Sequence, residues 1–308
     1  MLVVHKPGPM ATIQDLGRTG SRHLGVSNCG VLDPFAVAII NKLLGNDDNT
    51  PVIEITIGLC EFEFTASTNF AIGGGDLNAQ LNGQPIYPGW RYSAAAGDKL
   101  VFKQNRDNLR GYLAVAGGFN NLDHHLGSAA TDLMSHFGGF NGRKLAARDN
   151  LGYQPQAAKP QRGALQPNYE KLIRYIPGPH SDYASGNATE ILNTTIWKVN
   201  PSSNRMGIRL SQHQQLTHQQ SIATQAVHPG VIQLPPSGEP IILLNDCQTT
   251  GGYPIIGAVI TADLRHLSQL GAGDCIHLQA IDLKRAQQAQ LQTQAHLNQL
   301  QLALHYKE

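Results

Sequence analysis

Cys60-Glu61-Phe62-Glu63-Phe64-Thr65 alternates apolar and polar side chains residue by residue. A period of two sends side chains to opposite faces of a strand, so this stretch reads as a strand with one face in a core and one in water. Just before it, Val52 to Ile57 is apolar and rich in β-branched residues, which suits a more deeply buried strand. Downstream, Gly111 to Ala116 ends in Gly117-Gly118, and Val231 to Leu234 and Ile241 to Leu244 are bounded by Pro and Gly. Short strands punctuated by turn residues predict a mainly β chain built as a sandwich or barrel.

Helices are few. Asp33 can cap one that has Pro34 in its first turn and Gly45 just past its end, with Phe35, Ile39 and Leu43 on one apolar stripe. A second starts near Thr261, carries Leu264, Leu267 and Leu270 on one side, and stops at Gly271. A third, from about Asp282, is rich in Gln and Ala and reads as a helical tail packed on the body or on a partner.

The chain has 308 residues, enough for two domains with cores of their own. Residues 151–168 hold three Pro and four Gln without periodicity, which places the boundary there: an N-terminal domain 1–158 and a C-terminal domain 159–308. The halves echo each other. Ala96 to Phe102 resembles Ala272 to Leu278, and Pro7-Gly8 before Thr12-Ile13-Gln14 resembles Pro229-Gly230 before Val231-Ile232-Gln233. Duplication explains this, and so does turn chemistry alone.

A net charge of +1 without a basic run leaves no electrostatic footprint for nucleic acid or an anionic membrane. No stretch approaches 18 uninterrupted apolar residues, so no membrane span is expected. The N-terminus lacks a basic start and apolar core, and Cys29, Cys60, Cys247 and Cys275 show no CxxC, so a cytoplasmic protein with free thiols is expected.

Common catalytic signatures are missing: no GxxxxGK[ST], no HExxH, no GxSxG. Adjacent His124 and His125 point in different directions and make a poor chelate, and no metal is expected in this chain. Ser128 sits in a small-residue turn. Three segments gather chemistry. Gln14, Asp15 and Arg18 share a glycine-bounded loop, where Asp15 and Arg18 either pair to fix the loop or form an anion clamp. In Arg205-Met206-Gly207-Ile208-Arg209-Leu210, strand alternation puts both arginines on one face, either solvated or facing an anion. Asp246-Cys247-Gln248-Thr249-Thr250-Gly251-Gly252-Tyr253 collects hydrogen-bonding side chains and then two glycines that let backbone approach a ligand. Cys247 has no neighbour in sequence that would lower its pKa.

The strings TIQDLGRTG (12–20), NRMGIRL (204–210), PGVIQLPPSGEP (229–240) and DCQTTGGYP (246–254) together resemble the carboxyltransferase A/B family. GVLDPFAVAIINKLLGN, YLAVAGG and GGFNGRKLAARDNL are similar to further family segments, so the resemblance runs from about Val3 to His277. The family includes the C subunits of 5-oxoprolinases, KipA-type regulators, allophanate hydrolase subunit 2 and part of urea carboxylase. The resemblance implies two tandem cyclophilin-like β-barrels and a KipI-like B-type partner. It also implies ATP-dependent opening of 5-oxoproline to glutamate, carried out with B and lactam-utilisation-type A subunits, the ATP being shared with them. A KipA-type antagonist of a KipI-type kinase inhibitor, or a carboxyltransferase acting with a biotin carrier, are the alternatives. Biotin itself has no carrier motif here. On the 5-oxoprolinase reading, Arg205 and Arg209 with Gly251-Gly252 meet developing negative charge, Arg18 or Arg209 grips the substrate carboxylate, and Asp246 or Asp15 positions a proton or a metal-bound phosphate. The chain departs from the family pattern at Ala130-Thr131 and at Cys247.

Overall fold

The alternation at Cys60–Phe64 becomes a strand whose residues run buried, half-buried, buried, half-buried, buried. The computed structural model describes residues 1–104, 108–166, 168–183, 188–212, 216–218 and 222–305. They divide into two units. Unit 1 comprises Met1–Arg18, Cys29–Pro167 and His296–Glu308, and unit 2 comprises Thr19–Asn28 and Asn168–Ala295. The main division falls near residue 167, and two short segments, Thr19–Asn28 and His296–Glu308, are assigned across it.

Unit 1 contains two six-stranded sheets. One runs Asn150–Leu151, Leu2–Pro7, Cys60–Phe64, Lys99–Phe102, Ala79–Leu81, Gln84–Pro85. The other runs Arg162–Gly163, Trp90–Ala94, Thr68–Gly74, Arg110–Val115, Val52–Thr56, Met10–Gln14. Phe62, Phe64, Phe70, Leu100 and Leu113 share one core, with the Phe64 and Phe70 rings 5.0 Å apart. The strands of the second sheet are apolar on both sides because helix α1 (Pro34–Leu44) packs Ala36, Val37 and Ile40 against Ala71, Tyr112 and Ala114. Its caps are those the sequence predicts. Asp33 accepts from the Ala36 N–H at 2.9 Å, and Gly45 closes the C-terminus at φ +75°.

Unit 2 is a closed barrel of seven strands in the order Leu172–Pro177, Ile255–Val259, Val231–Gln233, Ile241–Leu243, Gly207–Ser211, Ile196–Val199, Cys275–Ala280. Parallel pairing of Leu172–Pro177 with Cys275–Ala280 closes the ring. Trp197 is fully buried, and its indole N–H donates to the carbonyl of Leu192, in helix α2 (Ala188–Thr194), at 3.2 Å. The helix expected from Thr261 is a short 3-10 turn followed by α3 (Leu264–Leu267). Its start is pinned because buried Asp263 accepts from the Arg174 backbone N–H (2.8 Å) and from both Nε (2.9 Å) and Nη2 (2.5 Å) of its guanidinium. Helix α4 (Leu283–His305) starts at Asp282, whose Oδ1 accepts from the Arg285 N–H at 2.8 Å. Its Ala286 and Ala289 pack with Ile176, Ile260 and Ile281 in unit 2, whereas Leu297, Leu300 and Leu304 pack with Phe35, Ile39 and Leu43 in unit 1. Among the described residues no helix is long and apolar enough to cross a membrane.

The echo between the halves is structural. Gly97 and Gly273 both sit at φ +90°, in the left-handed region that favours glycine. The following Asp98 accepts from the Ala95 N–H at 2.7 Å, and Asp274 from the Gly271 N–H at 2.8 Å. Each turn then exchanges two backbone bonds with a neighbouring strand: Gly97 and Asp98 with Phe64, Gly273 and Asp274 with Val199. Turn propensity explains the glycine. It does not explain the same long-range partners, so we read the turns as copies of one motif.

Candidate functional site

The second and third segments meet in unit 2. Asn204 folds a tight turn onto Gly207, with its Oδ1 accepting from the Met206 N–H at 2.8 Å. Arg205 lies inside that turn and points inward, only 5% exposed. Its Nε and Nη2 both donate to the Asp246 carboxylate at 2.9 Å, a bidentate pair with 6% and 11% of the two side chains exposed. The strand starts only at Gly207, and Arg209 within it is exposed. The expectation that Arg205 and Arg209 share one strand face is therefore corrected: the turn at Asn204 breaks the period of two. One guanidinium is closed on Asp246 and the other is in solvent.

Beyond Asp246 the chain runs through Cys247, which is buried, and Gln248, which is exposed, into a two-residue strand, Thr250–Gly251. That strand pairs with Gln225–Ala226, and the Val227 N–H donates to the Thr249 carbonyl at 3.0 Å. Gly252 and Tyr253 are exposed at the end of this ribbon, with Tyr253 42% accessible. Gly251 is required by packing, since a Cβ there would stand 2.5 Å from Nε2 of Gln233.

Arg22, which belongs to none of the sequence motifs, organises the other end. Its Nη2 donates to the carbonyls of Val227 (2.6 Å) and Gln248 (2.7 Å) and lies 3.8 Å from the Cys247 sulfur. Ser27 donates to the Cys247 carbonyl at 2.9 Å. Burial pushes the Cys247 thiol above its usual range, and Arg22 only partly opposes this, so Cys247 is held as a thiol rather than a nucleophilic thiolate. No local signal marks Arg22, whose partners lie more than 200 residues away in sequence.

The first segment lies in unit 1, apart from these residues in the chain's division. Asp15 is 2% exposed and accepts from the Gly17 N–H (2.8 Å), Ser128 Oγ (2.6 Å) and the Ala129 N–H (2.7 Å). Ser128 is thus a buried partner of Asp15. Gln14 donates to Thr12 Oγ1 and the Thr131 carbonyl, both at 3.2 Å, and accepts from the Gly30 N–H at 2.9 Å. Arg18 does not pair with Asp15. Its Nη2 donates to the Ala130 carbonyl, and its guanidinium carbon lies 4.6 Å from the centroid of the Phe137 ring. Nε and Nη1 of this fully buried side chain have no hydrogen-bond partner among the described residues. Ala130 and Thr131, where the family pattern is broken, therefore contact Arg18 and Gln14 directly.

None of the four cysteines forms a disulfide, and of the four only Cys275 is exposed. Among the described residues no group of three or more His, Cys, Asp or Glu side chains is placed to hold a metal ion.

The family model described as "Carboxyltransferase domain, subdomain A and B" matches residues 24–280. The chain is 38% identical over 308 residues to the 5-oxoprolinase C subunit of Escherichia coli (strain K12), covering 99% of both chains. To the protein of the same name from Haemophilus influenzae it is 36% identical, covering 94% of each. Among solved structures, TTHA0988 superposes with a TM-score of 0.81 at 31% identity, covering 90% of this chain and 55% of that one. The Kluyveromyces lactis urea carboxylase superposes with a TM-score of 0.88 at 26% identity, covering 97% of this chain and 29% of that one. The chain thus spans about half of TTHA0988 and under a third of the urea carboxylase.

Proposed function

The chain belongs to the carboxyltransferase subdomain A and B family, and from that premise we propose that it is the C subunit of an ATP-dependent 5-oxoprolinase. With B and A subunits it would convert 5-oxo-L-proline, ATP and water to L-glutamate, ADP and phosphate. The observation that carries this reading is the end-to-end similarity to the Escherichia coli C subunit at 38% identity. The urea-directed relatives give weaker support for a urea activity, because the chain corresponds to only 16% to 24% of their length.

The chemistry suits a donor-rich site. A lactam amide is unreactive, and its opening needs coupling to ATP, which we assign to a site shared with the partner subunits. Activation of the carbonyl develops negative charge on oxygen, and such charge is stabilised by fixed N–H donors in a place of low dielectric. Unit 2 offers the exposed guanidinium of Arg209, the backbone of Gly251-Gly252 and the Tyr253 hydroxyl. We assign Arg209 or Arg18 to the substrate carboxylate. We assign Arg205 and Asp246, which hold each other, to building the loop on which Gln248, Thr249 and Thr250 are presented.

Co-expression with B- and A-type subunits, followed by ATP hydrolysis with and without 5-oxoproline, tests the proposal. Substrate-stimulated hydrolysis with release of glutamate is expected. A stable complex with the B-type protein but no stimulation would favour a KipA-type regulator instead.

A further inference from the structure

Two histidines of unit 2 serve as hydrogen-bond acceptors. Nδ1 of His266 accepts from the backbone N–H of Glu170 at 3.1 Å, and Nδ1 of His180 accepts from that of Ile255 at 3.0 Å. The two bonds lie at opposite ends of the strand Leu172–Pro177, Glu170 just before it and His180 just after. This is the strand whose parallel pairing with Cys275–Ala280 closes the barrel. At its far end the His180 N–H donates to the Ile255 carbonyl at 3.0 Å, so ring and backbone together carry the antiparallel ladder past Pro177. Ile255 follows the loop that holds Gln248, Thr249 and Thr250, and its bond to His180 fixes the exit of that loop.

A ring nitrogen that accepts an N–H carries no proton, so each bond needs a neutral imidazole with its hydrogen on Nε2. An imidazolium has N–H on both nitrogens and would set donor against donor. The surroundings of His266 give an imidazolium little support. The residue is 7% exposed. Its Nε2 lies 4.0 Å from Asp263 Oδ1, but that carboxylate is already engaged by the backbone N–H and guanidinium of Arg174. Arg265 is next to it in the chain and stacks on Tyr169, 4.4 Å from the ring centroid; the same ring meets His266 edge-on at 6.5 Å. Burial, and after it the charge of Arg265, holds the His266 imidazole below its ordinary range; Arg174 adds to this, while Asp263 and Glu170 oppose it. His180 is half-buried, with the Tyr183 ring 4.9 Å away and Asp182 in the same turn. The strand against it, Ile255–Val259, has no titratable side chain.

We propose that His180 and His266 are proton-sensitive latches on the strand that closes the unit 2 barrel: a proton taken up at either Nδ1 expels a backbone N–H and frees one end of Leu172–Pro177. The device rests on the geometry of unit 2 and is independent of the 5-oxoprolinase reading. The unfolded chain takes up the His266 proton near pH ~6.5 and the folded chain only below that. The contribution of this latch to stability is therefore complete above about pH 7 and is lost as pH falls through the folded value.

Hydrogen exchange of the full chain, resolved at single amides by NMR, tests the proposal. Protection of the Glu170 and Ile255 amides, corrected for the intrinsic exchange rate, should fall by roughly fivefold or more between about pH 7.5 and 5. His266→Asn places an acceptor oxygen near the position of Nδ1 and does not titrate. It should abolish the fall at Glu170 and leave the fall at Ile255, and His180→Asn should do the converse. Nitrogen–proton correlation spectra of the wild-type imidazoles give a readout that needs no variant to fold: both rings should show the Nε2–H tautomer at neutral pH. An Nδ1–H tautomer at either ring, or a fall in the matching variant equal to that of wild type, overturns the proposal.

Discussion

Replacing Asp246 with Ala would leave the Arg205 guanidinium buried without its bidentate partner. The pair is shielded from water, with 6% and 11% of the side chains exposed and both bonds at 2.9 Å. Removing one member of such a pair costs about 3–5 kcal/mol, far more than the ~1 kcal/mol ceiling of a surface pair. At ~2–4 °C per kcal/mol this is a fall in Tm of roughly 6 to 20 °C. The chain has two tryptophans, Trp90 in unit 1 and fully buried Trp197 in unit 2. A Trp90→Phe background therefore lets Trp197 fluorescence report the melting of unit 2 alone. The Arg205→Ala/Asp246→Ala double variant should lose less than the two single losses combined, since no charge is then stranded. A loss under about 1 kcal/mol for Asp246→Ala would refute the reasoning and mean that the loop is anchored elsewhere. Asp246→Asn separates the roles: if it folds and the complex turns over normally, Asp246 only holds the loop.

Arg209→Ala should change stability by no more than about 0.5 kcal/mol, as an exposed site, while substrate-stimulated ATP hydrolysis by the complex falls at least tenfold. Asp15→Asn turns an acceptor oxygen into an N–H facing N–H and O–H donors; a loss of about 1–3 kcal/mol is expected by thermal melting of unit 1. Under native conditions at pH 8 a thiol reagent should label Cys275 rapidly. Cys60 should stay protected, since burial pushes its thiol to about 12, and Cys247 is raised in the same direction. Tyr175 is also raised to about 12 by burial. Cys60 and Tyr175 ionise earlier in the unfolded chain, so their contribution to stability is intact below about pH 9 and is lost as pH climbs toward 12, which urea titrations across that range would show.

Where one physical rule governs a segment, the sequence is readable. Asp33, Pro34 and Gly45 bound α1 because caps are local, and Cys60–Phe64 keeps its alternation because one face meets a core. The arginine strand misled because Asn204 closes a turn whose hydrogen bonds outweigh the alternating pattern, and that turn swings Arg205 inward. The helix expected from Thr261 to Leu270 is reduced to a 3-10 turn and the single turn Leu264–Leu267, with the Asp263 side chain committed to Arg174 rather than to capping. The polar loop at 246–253 was recognisable by composition. Arg22 was not, because the carbonyls it donates to, those of Val227 and Gln248, lie more than 200 residues away and meet it only in the folded chain.

The two exchanged segments bear on how the protein is made. Thr19–Asn28 leaves the ribosome early yet has Arg22 and Ser27 bonded to residues 227, 247 and 248, synthesised some 200 positions later. His296–Glu308 emerges last and belongs with the half made first. Neither half can finish folding during its own translation, and cutting the gene near codon 167 would yield two fragments, each missing a piece that the other carries. Dissecting the activity therefore calls for point substitutions or circular permutation rather than truncation.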